Sequence, residues 1–312
     1  MNIKCDMHFA VTGGAGFIGN NIVKNLVKKE HNVCVIDNLN TGKLENLKDV
    51  KDKIDFLKID IRNFDEIDQI LKKMDGVFHQ AALTDVQDSY RKKDEYYDVN
   101  VKGTRNIFES AKRNKLKVVY ASSSSIYGNT KEIPIKESFQ RNPINPYGDT
   151  KLQAELLAEE FSDYGTQIIG LRYFNVYGIG QNKAYAGVMT KFLDKVKLNQ
   201  QPIIFGDGQQ IRDFVSVEDV AQANVTAMFS NIKNGFFNIG SGKKLSIKEL
   251  AEMIIKNSNL VLEPKFEKMR EGDVRLSQAD TSMSENLLKW KSKEELNKWL
   301  SDVFEMEGKN ES

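Results

Sequence analysis

The feature that most constrains the fold is a glycine-rich stretch, Thr12-Gly13-Gly14-Ala15-Gly16-Phe17-Ile18-Gly19, set between an apolar run and a helical pattern. Glycines at 13, 16 and 19 suit a strand that turns sharply into a helix. Gly13 can make the tight turn, Gly16 leaves bare backbone, and Gly19 lets helix and strand approach closely. Phe17 and Ile18 open the helix, whose N-terminus offers N–H donors and a partial positive charge to phosphate groups.

The rest of the chain repeats this alternation. Strand-like runs at 7–13, 32–37, 54–60, 76–82, 117–123 and 166–174 are separated by helical patterns, among them 16–29, 94–113 and a stretch from Tyr147 to Tyr164. Strands apolar along their whole length predict a parallel sheet covered on both faces. After about residue 175 the regularity weakens. Gly-rich turns at 206–208 and 240–242, a helix near 246–256 and a charged helical tail remain. The expected fold class is α/β: a doubly wound parallel-sheet Rossmann domain over 1–175 and a smaller mixed α/β C-terminal substrate lobe, mainly 176–312, with an interleaved boundary.

Bulk properties exclude several classes. With 312 residues, 40% apolar and 29% charged, the chain reads as globular, and its net charge of +1 marks no nucleic-acid or membrane binder. Cys5 and Cys34 cannot build a disulfide framework. No run reaches the roughly 18 apolar residues of a membrane helix, and no signal stretch opens the chain, so a cytoplasmic protein is expected. His8, His31 and His79 have no metal spacing, and no metal is expected. His79, in a strand-like run, reads as a satisfied core residue.

Asp37 closes the second strand. A carboxylate there can accept hydrogen bonds from both ribose hydroxyls and would repel a 2′-phosphate. Asn38, Asn40, Thr41 and Gly42 follow, with no arginine immediately after, which favours NAD over NADP. Asp60 and Ile61, closing the third strand, can border the adenine.

Tyr147 and Lys151 lie four apart on a predicted helix and share a face, with Asn145-Pro146 suited to start it. An ammonium beside a phenol favours the phenolate, which would let Tyr147 act as a base near neutral pH. Ser122–Ser125 lie at the end of the fifth strand, where ligands sit in open α/β sheets.

These motifs, with DNLNTG, HQAAL, VNVKGTRN, SSSSIYG, NPYGDTK, LRYFNVYG, FGDGQQIRDFVSVEDV, FNIGSG and REGDVRLSQAD, resemble the extended short-chain dehydrogenases of the NAD-dependent epimerase/dehydratase family over nearly the whole chain. Within it the chain is most similar to UDP-hexose 4-epimerases. The resemblance implies catalysis by Ser123 (Ser124 the neighbouring alternative), Tyr147 and Lys151. It implies cofactor contacts at Gln80, Ala81, Ala82, Thr84, Asn100, Tyr173 and Val176. Substrate contacts fall at Thr84, Asp85, Ser123, Ser124, Tyr147, Asn175, Val188, Phe205, Arg212, Arg270, Asp273 and Ser277. It implies a UDP-sugar substrate turned over through a transient 4-keto intermediate, and a homodimer built from 94–113 and 150–163.

Sugar-nucleotide dehydratases of the family carry an Asp-Glu pair where this chain has Ser124 and Ser125, which argues against that chemistry. UDP-glucuronate epimerases or decarboxylases, and a non-catalytic NAD or sugar-nucleotide binding module, are the alternatives. Ser277 stands where relatives restricted to UDP-glucose and UDP-galactose carry a bulky Tyr, leaving room for an N-acetyl group. Asp85 replaces a common Ser or Ala, and Leu276 a common His.

Overall fold

The computed structural model describes residues 6–181, 187–269 and 273–310. Six strands, β1 (His8–Thr12), β2 (Asn32–Ile36), β3 (Ile54–Leu57), β4 (Gly76–His79), β5 (Lys117–Ser123) and β6 (Gln167–Tyr173), are joined by a seventh, Gly235–Ile239, in one parallel sheet. The order runs Gly235–Ile239, β6, β5, β4, β1, β2, β3. The progression of the chain reverses between β1 and β4, and their C-terminal ends open the crevice in which such sheets bind ligands.

Residues alternate between two apolar layers, as a strand's period of two requires. Phe9 and Val11 of β1 point into one layer with Ile22, Leu26 and Val220, while Ala10 enters the other with Val77, Phe108 and Phe161. A third cluster, around Phe192, Leu250 and Leu300, holds the smaller lobe. That lobe contains the helices Val188–Lys197, Ile247–Ser258 and Leu296–Asn310, with short strand pairs such as Ile203–Phe205 on Lys265–Glu267. Among the described residues, no helix is long and apolar enough to cross a membrane.

Two features differ from the sequence reading. The span 94–113 is interrupted: helices Lys93–Tyr97 and Thr104–Asn114 flank a widened turn, Asp98–Gly103. In this turn Asn100 reaches Leu83, accepting from its N–H at 2.8 Å and donating to its carbonyl at 2.9 Å. The regularity expected to fade after 175 also returns. Helix Val217–Phe229 packs on Phe17–Lys28, and Gly235–Ile239 completes the sheet beside β6.

The Pro146–Asp163 helix starts where Asn145-Pro146 predicts, the Asn145 side chain accepting from Gly148 N at 2.8 Å. A buried ionic cluster fastens it to the sheet. Glu155, with 0% exposure, accepts from Ser122 Oγ at 2.6 Å, from Arg172 Nε and Nη2 at 2.8 Å, and from Arg141 Nη1 at 3.1 Å. Removing one partner of a buried pair leaves the other charge uncompensated. Glu155→Ala is therefore expected to lose about 3–5 kcal/mol of unfolding free energy in urea titrations. Glu159→Ala, at the solvent side of the same cluster, should lose about 1 kcal/mol or less.

Candidate active site

A cavity of about 1000 Å³ runs from the crevice into the smaller lobe. Gly13 supplies the sharp turn at a φ of +67°, where a Cβ would meet Ala81 N at 2.7 Å. Gly19 is required more strictly than helix–strand packing alone would demand. A Cβ there would lie 2.1 Å from the Gly13 carbonyl oxygen, so the first helical turn closes on the loop itself. Gly14 is held too, by Val35 Cγ1 at 2.7 Å from its Cβ position. Gly16, Phe17 and Ile18 line the cavity, and no acidic residue occupies the first turn of the helix, leaving its positive end to an anion.

Asp37, Asn38, Asn40 and Thr41 line the cavity beyond β2, and Asp60 and Ile61 beyond β3. Asp37 accepts from Ala15 N at 3.0 Å and from Leu39 N at 2.8 Å, and burial nevertheless holds its pKa above the ordinary carboxylate value. Gly42 stands behind it, outside the wall; a Cβ there would come 2.9 Å from Asp37 Oδ2. Arg62, which sequence spacing gave no reason to place here, is also in the wall. Parallel pairing of Ile36 with Leu57 brings the two strand ends together. Its guanidinium is committed to Asp60, donating from Nε at 2.9 Å and Nη2 at 2.7 Å, and lies 3.6 Å from Asp98.

Gln80, Ala81, Ala82, Thr84 and Asp85 line the cavity beyond β4, but Asn100 does not. Its amide is spent on Leu83 and on Thr150 Oγ1, at 3.0 Å, so it shapes the Ala81–Thr84 wall from behind. His79 is a satisfied core residue among the described residues, its ring nitrogens 2.7 Å from Thr12 Oγ1 and 2.9 Å from Thr104 Oγ1. Burial, with Lys151 adding to it, pushes its pKa down to about 3. Tyr173, in the wall, bonds through its hydroxyl to Asn224, a fully buried residue that no motif pointed to.

Ser123, Ser124, Tyr147 and Lys151 share the central part of the cavity. Ser123 is hydrogen-bonded to the Tyr147 side chain, and its Oγ accepts from Ser125 Oγ at 2.9 Å. The electrostatics depart from the simple expectation for Tyr147. Burial raises its phenol pKa, and the Ser123 bond opposes this only in part. Lys151 donates to Ala121 O at 2.9 Å, and its Nζ sits 5.9 Å from the Tyr147 ring centroid. Burial pushes Lys151 itself down to about 8. Burial prevails over the Ser123 bond, so phenolate formation needs further positive charge or a hydrogen-bond donor.

Asn175, Val176, Val188, Phe205, Arg212, Asp273 and Ser277 line the far end, while Arg270 lies outside the described residues. Arg212 is paired with Asp273. Gln210, missed in the sequence, donates to Phe205 O at 2.6 Å and to Asp273 Oδ2 at 3.4 Å, tying this corner together. Among the described residues no group of His, Cys, Asp and Glu could hold a metal ion.

A glycine loop at a helix N-terminus, a buried acid past β2 and a Ser–Tyr–Lys cluster facing the same crevice define a nucleotide-cofactor enzyme of the short-chain dehydrogenase type. Residues 9–240 match the NAD dependent epimerase/dehydratase family, and the chain belongs to it. Its structure is similar to that of a UDP-N-acetylglucosamine 4-epimerase from Methanobrevibacter ruminantium in complex with UDP-N-acetylmuramic acid. The two share a TM-score of 0.92 and 35% identity over 98% of this chain and 99% of that one. A UDP-glucose 4-epimerase from Thermotoga maritima, with UDP-glucose, gives 0.92 and 33% over 98% and 100%. In sequence, a bifunctional UDP-glucose and UDP-xylose 4-epimerase of Arabidopsis thaliana is 32% identical over 99% of this chain and 98% of its own length.

The glycine cradle and buried Asp37 fit NAD. Gly19→Ala is expected to weaken NAD binding about tenfold or more, equivalent to ~1.4 kcal/mol. Titration calorimetry on the folded variant would check this, and unchanged affinity would mean that the loop tolerates the added methyl.

Proposed function

We propose that the chain interconverts the C4 epimers of a UDP-hexose, UDP-glucose/UDP-galactose, UDP-N-acetylglucosamine/UDP-N-acetylgalactosamine or both pairs, through a transient 4-keto sugar. The observation that carries this reading is the convergence of Ser123, Tyr147 and Lys151 on one cavity with the glycine loop, with Ser124 and Ser125 where a dehydratase would need acids. Gly13, Gly16 and the following helix N-terminus would hold the NAD pyrophosphate, and Asp37 a ribose. When bound, the nicotinamide supplies a hydride acceptor that later returns the hydride, so no net redox change results.

The protein's own part is to move a proton and hold the sugar. Tyr147, once ionised, takes the proton of the sugar 4-hydroxyl, and Ser123 orients that oxygen. Lys151 would hold the nicotinamide ribose and, with the positive charge that the oxidised cofactor carries, favour the phenolate against burial. Arg212, with Arg270, would grip the diphosphate, because guanidinium forks match phosphate oxygens. Anchored there, the sugar can turn over between the two hydride transfers without leaving. The small Ser277 leaves space beside the sugar for a 2-N-acetyl group. We further read the protein as a cytoplasmic homodimer through the 94–113 and 150–163 helices, whose Tyr97 and Leu156 are exposed.

A product assay tests the reading. Purified protein incubated with UDP-glucose, and separately with UDP-N-acetylglucosamine, is expected to yield a galacto-configured product by proton NMR without accumulating NADH. No product from either would overturn it. Tyr147→Phe is expected to lower kcat by about 10²–10⁴. Ser277→Tyr should reduce turnover of the acetylated sugar more than that of UDP-glucose.

A further inference from the structure

Asp85 places a carboxylate in the cavity wall. It lines the cavity next to Thr84, and Ser123, Tyr147 and Ser277 line the same cavity. Its backbone is tied to the start of the helix that carries Tyr147. The Asp85 carbonyl accepts from Ser89 N at 3.1 Å, and Ser89 Oγ accepts from Tyr147 N at 3.2 Å. The Asp85 side chain caps the Val86–Arg91 helix, Oδ1 accepting from Asp88 N at 2.6 Å. Capping by one oxygen leaves the negative charge in place.

Lys191 also lines the cavity, and among the described residues no cavity cation forms an ion pair with Asp85. Lys151 donates to Ala121 O at 2.9 Å, Lys195 donates to Gln200 Oε1 at 2.9 Å, Arg212 is paired with Asp273, and Arg62 holds Asp60. A fixed carboxylate in a partly dehydrated wall is screened less than one at the surface. It therefore repels a second carboxylate brought in on the sugar, while a hydroxyl there can donate to it.

We propose that Asp85 is a specificity-determining residue that selects neutral hexoses and rejects uronic acids. This rests on the reading that the sugar lies at Tyr147. The capping role makes the charge separable from the fold, because Asn and Ser accept the same N-cap hydrogen bond without a charge.

The test is direct binding to the NAD-loaded protein, with dissociation constants for UDP-glucose and UDP-glucuronic acid measured by calorimetry. Each variant serves as its own reference through the ratio of the two constants. The wild-type protein is expected to bind UDP-glucuronic acid the more weakly. Asp85→Asn and Asp85→Ser are expected to shift the ratio toward the acid about tenfold or more, the scale of one close charge pair in a partly screened site. Asp85→Glu, which keeps the charge, should hold the wild-type ratio. An unchanged ratio in the Asn and Ser variants would overturn the proposal, as would an equal shift in the Glu variant. Binding is read without turnover, so a failure to epimerise would sink the proposed function and leave this comparison intact.

Discussion

The Glu155 carboxylate is the point from which the active site is hung. Tyr147, Lys151 and Glu155 follow one another at intervals of four on a single helix, so the face that carries the chemistry also carries the anchor. Glu155 takes the Ser122 hydroxyl and the Arg172 guanidinium, and thereby joins the ends of β5 and β6 to the helix. Ser122 is the immediate neighbour of Ser123. That bond holds the strand carrying Ser123 against the helix carrying Tyr147. A buried ion cluster adds little net stability when complete, but it permits one register only, because any slip strands a charge in the interior.

The cavity around this anchor is polar yet largely internally balanced. Asp60 answers Arg62, Asp273 answers Arg212, and Asn100 and Asn224 satisfy groups in the wall from behind it. The exceptions are informative. Asp37 stays buried without a cationic partner among its hydrogen bonds, two backbone N–H groups supporting it from within the protein. Tyr147 and Lys151 are both shifted by burial toward their neutral forms. Such a site is tuned to be completed by its ligand. In the proposed mechanism the positive charge that would ionise the phenol enters with the oxidised cofactor.

Much of this was legible in the sequence. Six strands, the glycine turn, the Asn145-Pro146 helix start and the four-residue spacing of Tyr147 and Lys151 are local patterns governed by backbone geometry, and they appear where the sequence places them. The interrupted helix around Asn100 was hidden, because its cause is a hydrogen bond to Leu83, distant in sequence. The seventh strand, Gly235–Ile239, was missed because its apolar run is short and its membership of the sheet is conferred by pairing with β6.

The sequence by itself determined the fold class and the family, and it named the residues proposed to react, since these rest on residue types at short spacings. The tertiary structure decided how those groups behave. It brought Arg62 beside the cofactor end and then neutralised it with Asp60, and it turned Asn100 out of the wall. It set burial against the Ser123 hydrogen bond in the balance that governs Tyr147, and it left the Asp85 charge in the cavity while using one of its oxygens as a cap. Those outcomes depend on desolvation and on contacts between residues far apart in the chain, and both come into being only when the chain has closed around the cavity.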